Sequence, residues 1–327
     1  MNKDFPVKLL RLNASPYQGD SFFSAEEKMA KSLGLDYELF LNENKKEQTL
    51  AHYILISNTH TEPAKVPHSI LQKTLFWLHS NSGYDNFSPE WLLKQKFPIF
   101  TGNSIRKEAV LEYILAHLFQ HYGFHPKQGL WSKERLWNRD LLSDKKVLIL
   151  GKGLIGCAAG EILSPLVKQV TYYDPFVKET PDTMTTNLSA LLKENQIFIL
   201  TASLNPTSYH LLSTDEFNQM CDNYLLINAA RGKLCDQKAL IKSLEEKPQA
   251  FAYLDVFEEE PYQDEFSVLK NVHITSHIAG VFSQLGDKII QYERNIISEY
   301  LTHGEAFLEK KYSSLNLKNR IRKDYLI

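Results

Sequence analysis

Residues 147–156 constrain the fold of this chain more than any other stretch. Four apolar residues, Val147 to Leu150, predict a buried strand, and Gly151, Gly153 and Gly156 follow it at the spacing G-x-G-x-x-G. Gly151 lets the chain turn sharply off the strand. Gly153 lets a ligand approach bare backbone, and Gly156 lets the next helix pack closely on the sheet. Unpaired N–H groups and the positive end of the helix dipole then face a pyrophosphate. A second apolar run, Val170 to Tyr173, ends in Asp174, eighteen positions past the last glycine. A carboxylate there accepts hydrogen bonds from an adenosine ribose. Strand, glycine turn, helix, strand and acid point together to dinucleotide binding. The plainer reading is a strand–turn–helix whose glycines serve packing alone.

The surrounding pattern extends this reading. From Val147 onward, strands are predicted at Ile197–Leu200, Tyr224–Asn228, Phe251–Val256 and His273–Thr275. Helices alternate with them at Leu188–Asn195, after the capping box Ser213 to Glu216, and from the cap Asp236 to Glu246. Such alternation is the mark of a doubly wound parallel sheet. Before it, Pro6–Leu12, Asp36–Leu41, Tyr53–Ser57 and Phe97–Phe100 read as strands and Ala25–Leu33 as a helix, a second and smaller α/β unit. Leu71–His79 is a mixed apolar stretch that leads into a polar loop at Ser80–Asp85. A helical period runs from Ile105 to His121 and stops at Gly123. Lys127–Asp144 is polar, with Trp131 and Trp137 as candidate anchors. Phe282–Tyr300 is a long helix, and the Lys/Arg-rich tail from Lys310 reads as a solvated end.

Composition bounds the function. The chain has 327 residues, a length that suits two domains and a large core. A net charge of −2 exerts no long-range pull on nucleic acid or membrane. Cys157, Cys221 and Cys235 are odd in number and far apart, which favours buried thiols in a reducing cytoplasm over disulfides. No signal-like segment opens the chain, and no run approaches the ~18 apolar residues of a membrane span. His117, His121 and His125 recur every four residues, but Gly123 and Pro126 break the helix before the third, and no carboxylate or thiol completes a metal set. The expectation is a cytoplasmic protein with no metal, no nucleic-acid partner and no membrane.

Several reactive residues fall just past predicted strand ends, where ligands of such sheets bind. These are Asp174, Arg231, Asp255 and His277, with Glu260 five residues beyond Asp255 and next to Pro261. A guanidinium, a carboxylate and an imidazole gathered around a dinucleotide suit hydride transfer to a carbonyl. Arg231 matches a substrate carboxylate with its planar fork and polarises the carbonyl. His277 supplies the proton, imidazole being the side chain whose ordinary titration lies nearest neutrality. Glu260 orients that imidazole and favours its protonated form. Of the acidic run Glu258-Glu259-Glu260, the position before the proline singles out the third.

At this point the chain resembles the D-isomer-specific 2-hydroxyacid dehydrogenases, most closely from Val147 to Gly280. The resemblance rests on Gly151–Gly156 with Asp174, Leu204-Asn205-Pro206-Thr207, Ile227 to Gly232, Leu254–Phe257 with Glu260-Pro261, and Thr275 to Gly280, all in family order. It implies Arg231, Glu260 and His277 as the catalytic residues. It implies NAD as cofactor, held by Gly151, Gly153, Leu154, Ile155, Gly156, Asp174, Thr201, Ala202, Ser203, Thr207, Ala229, Ala230, Arg231, Asp255, His277 and Gly280. Asp255 takes the position that contacts the nicotinamide amide. Ser82, Gly83 and Tyr84 resemble the loop whose N–H groups hold the carboxylate of a small 2-keto or 2-hydroxy acid, together with Arg231 and His277. Ala109 to Glu112 resembles the start of the family's long interdomain helix. The implied architecture is a Rossmann-type doubly wound parallel sheet inserted into a smaller flavodoxin-like α/β substrate domain. Residues 1–104 and 290–327 would form the substrate domain and 105–289 the NAD-binding domain. Members are commonly homodimers that close over the cofactor by hinge motion.

Three departures stand out. Ser276 replaces the proline usual before the histidine, which predicts a less rigid loop around His277. Pro165 and Val167 follow the glycine-turn helix and predict an early end to it. Asn205 replaces a usual threonine, a mild change. Asp174 favours NAD over NADP, because a carboxylate repels a 2′-phosphate. The alternative functions are an NAD(H)-sensing, corepressor-like binding protein on the same fold, and an enzyme of the family acting on formate or phosphite. Formate-type members place glutamine where Glu260 stands.

Overall fold

A computed structural model describes residues 6–13, 19–40, 51–123, 140–263 and 265–327. The chain divides into two compact units, Met1–Arg106 with Phe282–Ile327, and Lys107–Val281. Trp131, Trp137 and His125 lie outside the described residues.

The first unit opens with β1 (Val7–Arg11), α1 (Asp20–Ser32), β2 (Asp36–Leu39), β3 (His52–Ser57), α2 (His68–Leu71), β4 (Thr74–His79), α3 (Pro89–Lys94) and β5 (Ile99–Thr101). Its five strands are all parallel in the order β2-β1-β3-β4-β5, the flavodoxin-like arrangement. Strands covered on both faces read as unbroken apolar runs. Thus Ile54, Ile56 and Phe76 pack on one face, and Leu55 and Trp77 on the other. The mixed apolar stretch before the loop therefore holds a central strand, β4, and Phe76 and Trp77 are core residues.

The second unit runs through α4 (Lys107–Gly123), β6 (Lys146–Leu150), α5 (Leu154–Leu163), β7 (Gln169–Tyr173), β8 (Thr183–Met184), α6 (Leu188–Glu194) and β9 (Ile197–Leu200). It continues with α7 (Thr214–Gln219), β10 (Leu225–Asn228), α8 (Gln237–Glu246), β11 (Phe251–Leu254) and β12 (Val272–Ile274). Seven parallel strands lie in the order β12-β11-β10-β9-β6-β7-β8. The order in which strands are added reverses at β6 and β9, β7 and β8 lying to one side and β10 to β12 to the other, which is the switch point of a Rossmann sheet. Leu148, Phe198 and Leu226 fill one face; Ile149, Ile199 and Ile227 fill the other. The predicted alternation and caps hold: Ser213 and Glu216 form a capping box, and Asp236 accepts from the Ala239 amide at 3.0 Å. α5 stops at Leu163, two residues before Pro165, as its lack of an N–H requires.

The chain then returns to the first unit with α9 (Leu285–His303), α10 (Glu305–Lys311) and a hairpin of β13 (Ile321–Arg322) and β14 (Tyr325–Leu326). This corrects the reading of the basic tail as a solvated end. Leu317 and Leu326 are buried in the same core as Leu10 and Trp77, and Lys318 Nζ donates to the Gln95 carbonyl at 2.7 Å. The apolar residues interleaved with the charges do the packing, and the charge run masks their pattern.

Candidate active site

The second unit brings its reactive residues to the C-terminal ends of its strands. Gly151 follows β6, Asp174 follows β7, Thr201, Ala202 and Ser203 follow β9, Ala229 to Arg231 follow β10, Asp255 follows β11 and His277 follows β12. At Gly151 φ is +106°, and a Cβ there would lie 2.6 Å from the Ala202 amide nitrogen. A Cβ on Gly156 would overlap the Gly151 carbonyl oxygen at 2.0 Å, so the first turn of α5 lies directly on the glycine turn. Gly153 has open space where its Cβ would be, and no side chain caps α5. An uncapped helix start beside bare backbone fits a pyrophosphate.

Asp174 accepts from the Lys152 amide at 2.8 Å and the Phe176 amide at 2.9 Å. An ionised carboxylate has about four acceptor positions, so two amides leave room for ribose hydroxyls. Thr201 turns inward, its hydroxyl donating to the Gly151 carbonyl at 2.7 Å and thereby fixing the glycine turn. Asn205 accepts from the Thr207 amide and hydroxyl at 2.9 and 2.7 Å, which closes the turn at the position where the family favours threonine.

His277, Glu260 and Arg231 form one constellation. His277 Nδ1 lies 2.8 Å from Glu260 Oε2, and the other Glu260 oxygen accepts from the Phe257 amide at 3.2 Å. Burial works to raise the Glu260 carboxyl, but the hydrogen bond and charge of His277, the Phe257 amide and the Arg231 charge together hold it below the usual carboxylate range. Of the three consecutive acids, Glu258 instead accepts from the Gln237 amide at 2.8 Å, and Glu259 is exposed. Arg231 begins the turn after β10, which the buried Asn228 braces. Asn228 Oδ1 accepts from the Ala230 amide at 3.1 Å, and its Nδ2 donates to the Arg231 carbonyl at 2.9 Å. A Cβ on Gly232 would fall 1.9 Å from the Phe257 carbonyl carbon, so this glycine lets the arginine turn lie against the segment that carries Glu260.

His277 itself has φ +55°, a left-handed conformation uncommon for a non-glycine residue. Asp255 holds it there. The buried carboxylate accepts from the Thr275 hydroxyl at 2.6 Å and from the Ile278 and Ala279 amides, both at 2.8 Å. The Asp255 carbonyl accepts from the His277 amide, also at 2.8 Å. Four hydrogen bonds thus restrain the loop in which Ser276 stands in place of the usual proline. Gly280 follows in a turn closed by the Val281 amide on the Ile278 carbonyl at 2.8 Å. The bracing roles of Asn228, Gly232 and Thr275 escaped the sequence reading. An asparagine ending a buried strand is the signal that points to the first of them.

Ser82, Gly83 and Tyr84 lie in the first unit, in the loop after β4. The Ser82 and Gly83 amides have no acceptor among the described residues, and the Tyr84 hydroxyl donates to the Ile327 carbonyl at 2.8 Å. His117 is stacked on Tyr253 at 4.5 Å. Among the described residues no group of three or more His, Cys, Asp or Glu side chains is placed to hold a metal ion, and no helix is long and apolar enough to cross a membrane.

A Rossmann sheet with an uncapped glycine turn and an Arg–Glu–His constellation at its strand ends defines a nucleotide-dependent oxidoreductase. The chain belongs to the D-isomer specific 2-hydroxyacid dehydrogenase family, whose NAD binding domain model matches residues 112–279, more than half of its length. It is an NAD-dependent oxidoreductase of 2-hydroxy acids. A glyoxylate reductase of Pyrococcus horikoshii is 29% identical over 255 residues, 70% of this chain and 76% of that protein. Among solved structures, a glyoxylate reductase from Paecilomyes thermophila superposes with a TM-score of 0.72 at 18% identity, covering 92% of this chain and 97% of its own. D-lactate dehydrogenase from Aquifex aeolicus, complexed with NAD and lactic acid, gives 0.70 at 18% identity, covering 95% and 99%. At such identities these two show the fold.

Proposed function

We propose that the chain reduces small 2-keto acids to D-2-hydroxy acids, with Arg231, Glu260 and His277 as its catalytic residues. The glycine turn Gly151–Gly156 and Asp174 would hold NADH, which when bound would supply a hydride for substrate C2. Arg231 meets the substrate carboxylate and carbonyl oxygen, stabilising the negative charge that gathers on that oxygen. His277 gives the oxygen a proton and is left neutral; in the oxidative direction it takes the proton back. Glu260 holds Nδ1, so Nε2, which has no partner among the described residues, is the nitrogen that faces the reaction. The Ser82, Gly83 and Tyr84 amides hold the substrate carboxylate. The 2.8 Å contact of His277 with Glu260 carries this reading, because it occupies Nδ1 and leaves Nε2 to the substrate.

The test is turnover. Purified protein is expected to oxidise NADH with at least one of glyoxylate, hydroxypyruvate or pyruvate. NADH binding without turnover across a broad 2-keto acid panel, at high enzyme concentration, would defeat the enzymatic reading and favour a binding protein.

A further inference from the structure

Behind the loop after β4 lies a chain of three fully buried polar side chains, Trp77, Ser57 and His79. The Trp77 indole N–H, which can only donate, gives its hydrogen bond to Ser57 Oγ at 2.6 Å. The single Ser57 proton is then directed to His79 Nδ1, 2.9 Å away. Nδ1 is therefore the acceptor of the ring, and the proton of the neutral imidazole sits on Nε2. That nitrogen donates to the Gly83 carbonyl at 2.7 Å, an oxygen that can only accept. Both ends of the chain demand the same tautomer. Burial pushes the His79 imidazole down to about 4, so the ring is neutral across the working range of pH and the direction of the chain is constant.

The other carbonyls of the loop are anchored too. The Ser80 carbonyl accepts from Arg106 at 3.0 Å and the Asn81 carbonyl from the Gly102 amide at 3.0 Å. In the amide orientation that satisfies its neighbours, Asn103 donates to the Ser82 carbonyl at 3.2 Å. In a trans peptide the C=O and the following N–H point in opposite directions. Each carbonyl drawn into the unit therefore turns the next amide away from it. The Asn81 anchor aims the Ser82 N–H, the Ser82 anchor aims the Gly83 N–H, and His79 sets the plane that carries the Tyr84 N–H. Among these anchors only His79 is itself held in one protonation state and one tautomer by a dedicated chain of donors.

We propose that His79, directed by Ser57 and Trp77, is a positioning residue for the substrate-carboxylate loop Ser82–Tyr84. It acts on the affinity for the 2-keto acid and not on the chemical step. This rests on the assignment of that loop to the substrate carboxylate.

Steady-state kinetics of the full-length protein with glyoxylate and NADH test it. His79→Leu removes the donor to Gly83; the KM for the keto acid is expected to rise about 10-fold, the value of one hydrogen bond. Both kcat and the KM for NADH stay within about 2-fold. His79→Gln carries an N–H at the Nε2 position and is expected to recover most of the lost affinity. Ser57→Ala, which frees the tautomer but keeps the ring, is expected to raise the same KM by a smaller factor, and it gives the test if His79→Leu fails to fold. An unchanged keto-acid KM in folded His79→Leu or Ser57→Ala overturns the inference. So does a parallel loss of kcat and NADH affinity that His79→Gln does not relieve. Absence of wild-type turnover would instead strike the function on which the inference rests.

Discussion

Glu260 is under opposing influences: burial raises its carboxyl, and the neighbouring His277, Phe257 amide and Arg231 lower it, with the lowering effects dominant. An anionic Glu260 therefore faces His277 Nδ1 throughout the neutral range. Glu260→Gln keeps a hydrogen-bond acceptor for Nδ1 but removes the charge. The reductive kcat is expected to fall by about 10-fold or more, within the range for a disturbed general acid. The KM for NADH is expected to stay within about 2-fold, because the glycine turn is untouched. Single-turnover kinetics on both proteins check this; an unchanged reductive rate would remove Glu260 from the proposed proton-transfer step. At this scale the sequence was legible where chemistry is carried by residue type. Arg231 and His277 stand out just past apolar runs, and Glu260 by its place before Pro261, as candidates for the proposed chemistry. Asn228, Gly232 and His79 do not, because bracing depends on which backbone groups tertiary structure brings near, and spacing alone does not encode that.

Among elements, the loop after β12 shows how a local irregularity is compensated. Without the usual proline, Ser276 leaves the backbone before His277 freer, yet the Asp255 carboxylate gathers Thr275, Ile278 and Ala279 around itself. Asp255→Asn is the sharp probe. Its Oδ1 still accepts from Thr275 and Ile278, but its Nδ2 then meets the Ala279 N–H, donor against donor. Leaving that buried amide unpaired costs about 1–3 kcal/mol, which a fall in Tm reports, and a loosened His277 lowers kcat more than it lowers NADH affinity. Equal loss of both would mean that Asp255 serves the cofactor more than the loop. Long apolar runs with capping residues, such as β9, β10 and α8, could be placed from sequence to within a residue or two. β4 was hidden because its polar start, Thr74, and its closing His79 blur a strand run. The β13–β14 hairpin was hidden because its few apolar residues, Ile321, Tyr325 and Leu326, are separated by the charged run Arg322-Lys323-Asp324.

At the scale of the whole molecule, the Rossmann and flavodoxin-like sheets followed from strand–helix alternation and the family pattern. A cluster of buried charge in the first unit did not. Arg11 on β1 donates through Nε to Glu26 Oε2 on α1 at 2.6 Å, and through a guanidinium N–H to Glu293 Oε1 on α9 at 3.1 Å. Glu293 also accepts from the Ser80 hydroxyl at 2.6 Å. Beginning and end of the chain, 282 positions apart, are thus joined inside one core. One guanidinium cannot compensate two buried carboxylates. Burial works to raise the Glu26 carboxyl, but the charge and hydrogen bonds of Arg11 hold it below the carboxylate range, whereas burial and the charge of Glu26 raise that of Glu293 well above it and favour its neutral form. Between the ordinary carboxylate range and that raised value, the folded protein binds one more proton here than the unfolded chain, so this site's contribution to stability declines as pH rises. Glu293→Gln removes the titration and retains the acceptor for Ser80 and Arg11. Its stability is expected to match the wild type near pH 4 and to exceed it by a margin that grows with pH, up to about 1.4 kcal/mol per unit. Arg11→Met, by contrast, strands the Glu26 carboxylate and is expected to cost about 3–5 kcal/mol. Urea unfolding of the three proteins across pH separates these outcomes: a constant gap between wild type and Glu293→Gln would show that Glu293 is ionised in the fold, and that the buried cluster is balanced by some other arrangement of charge.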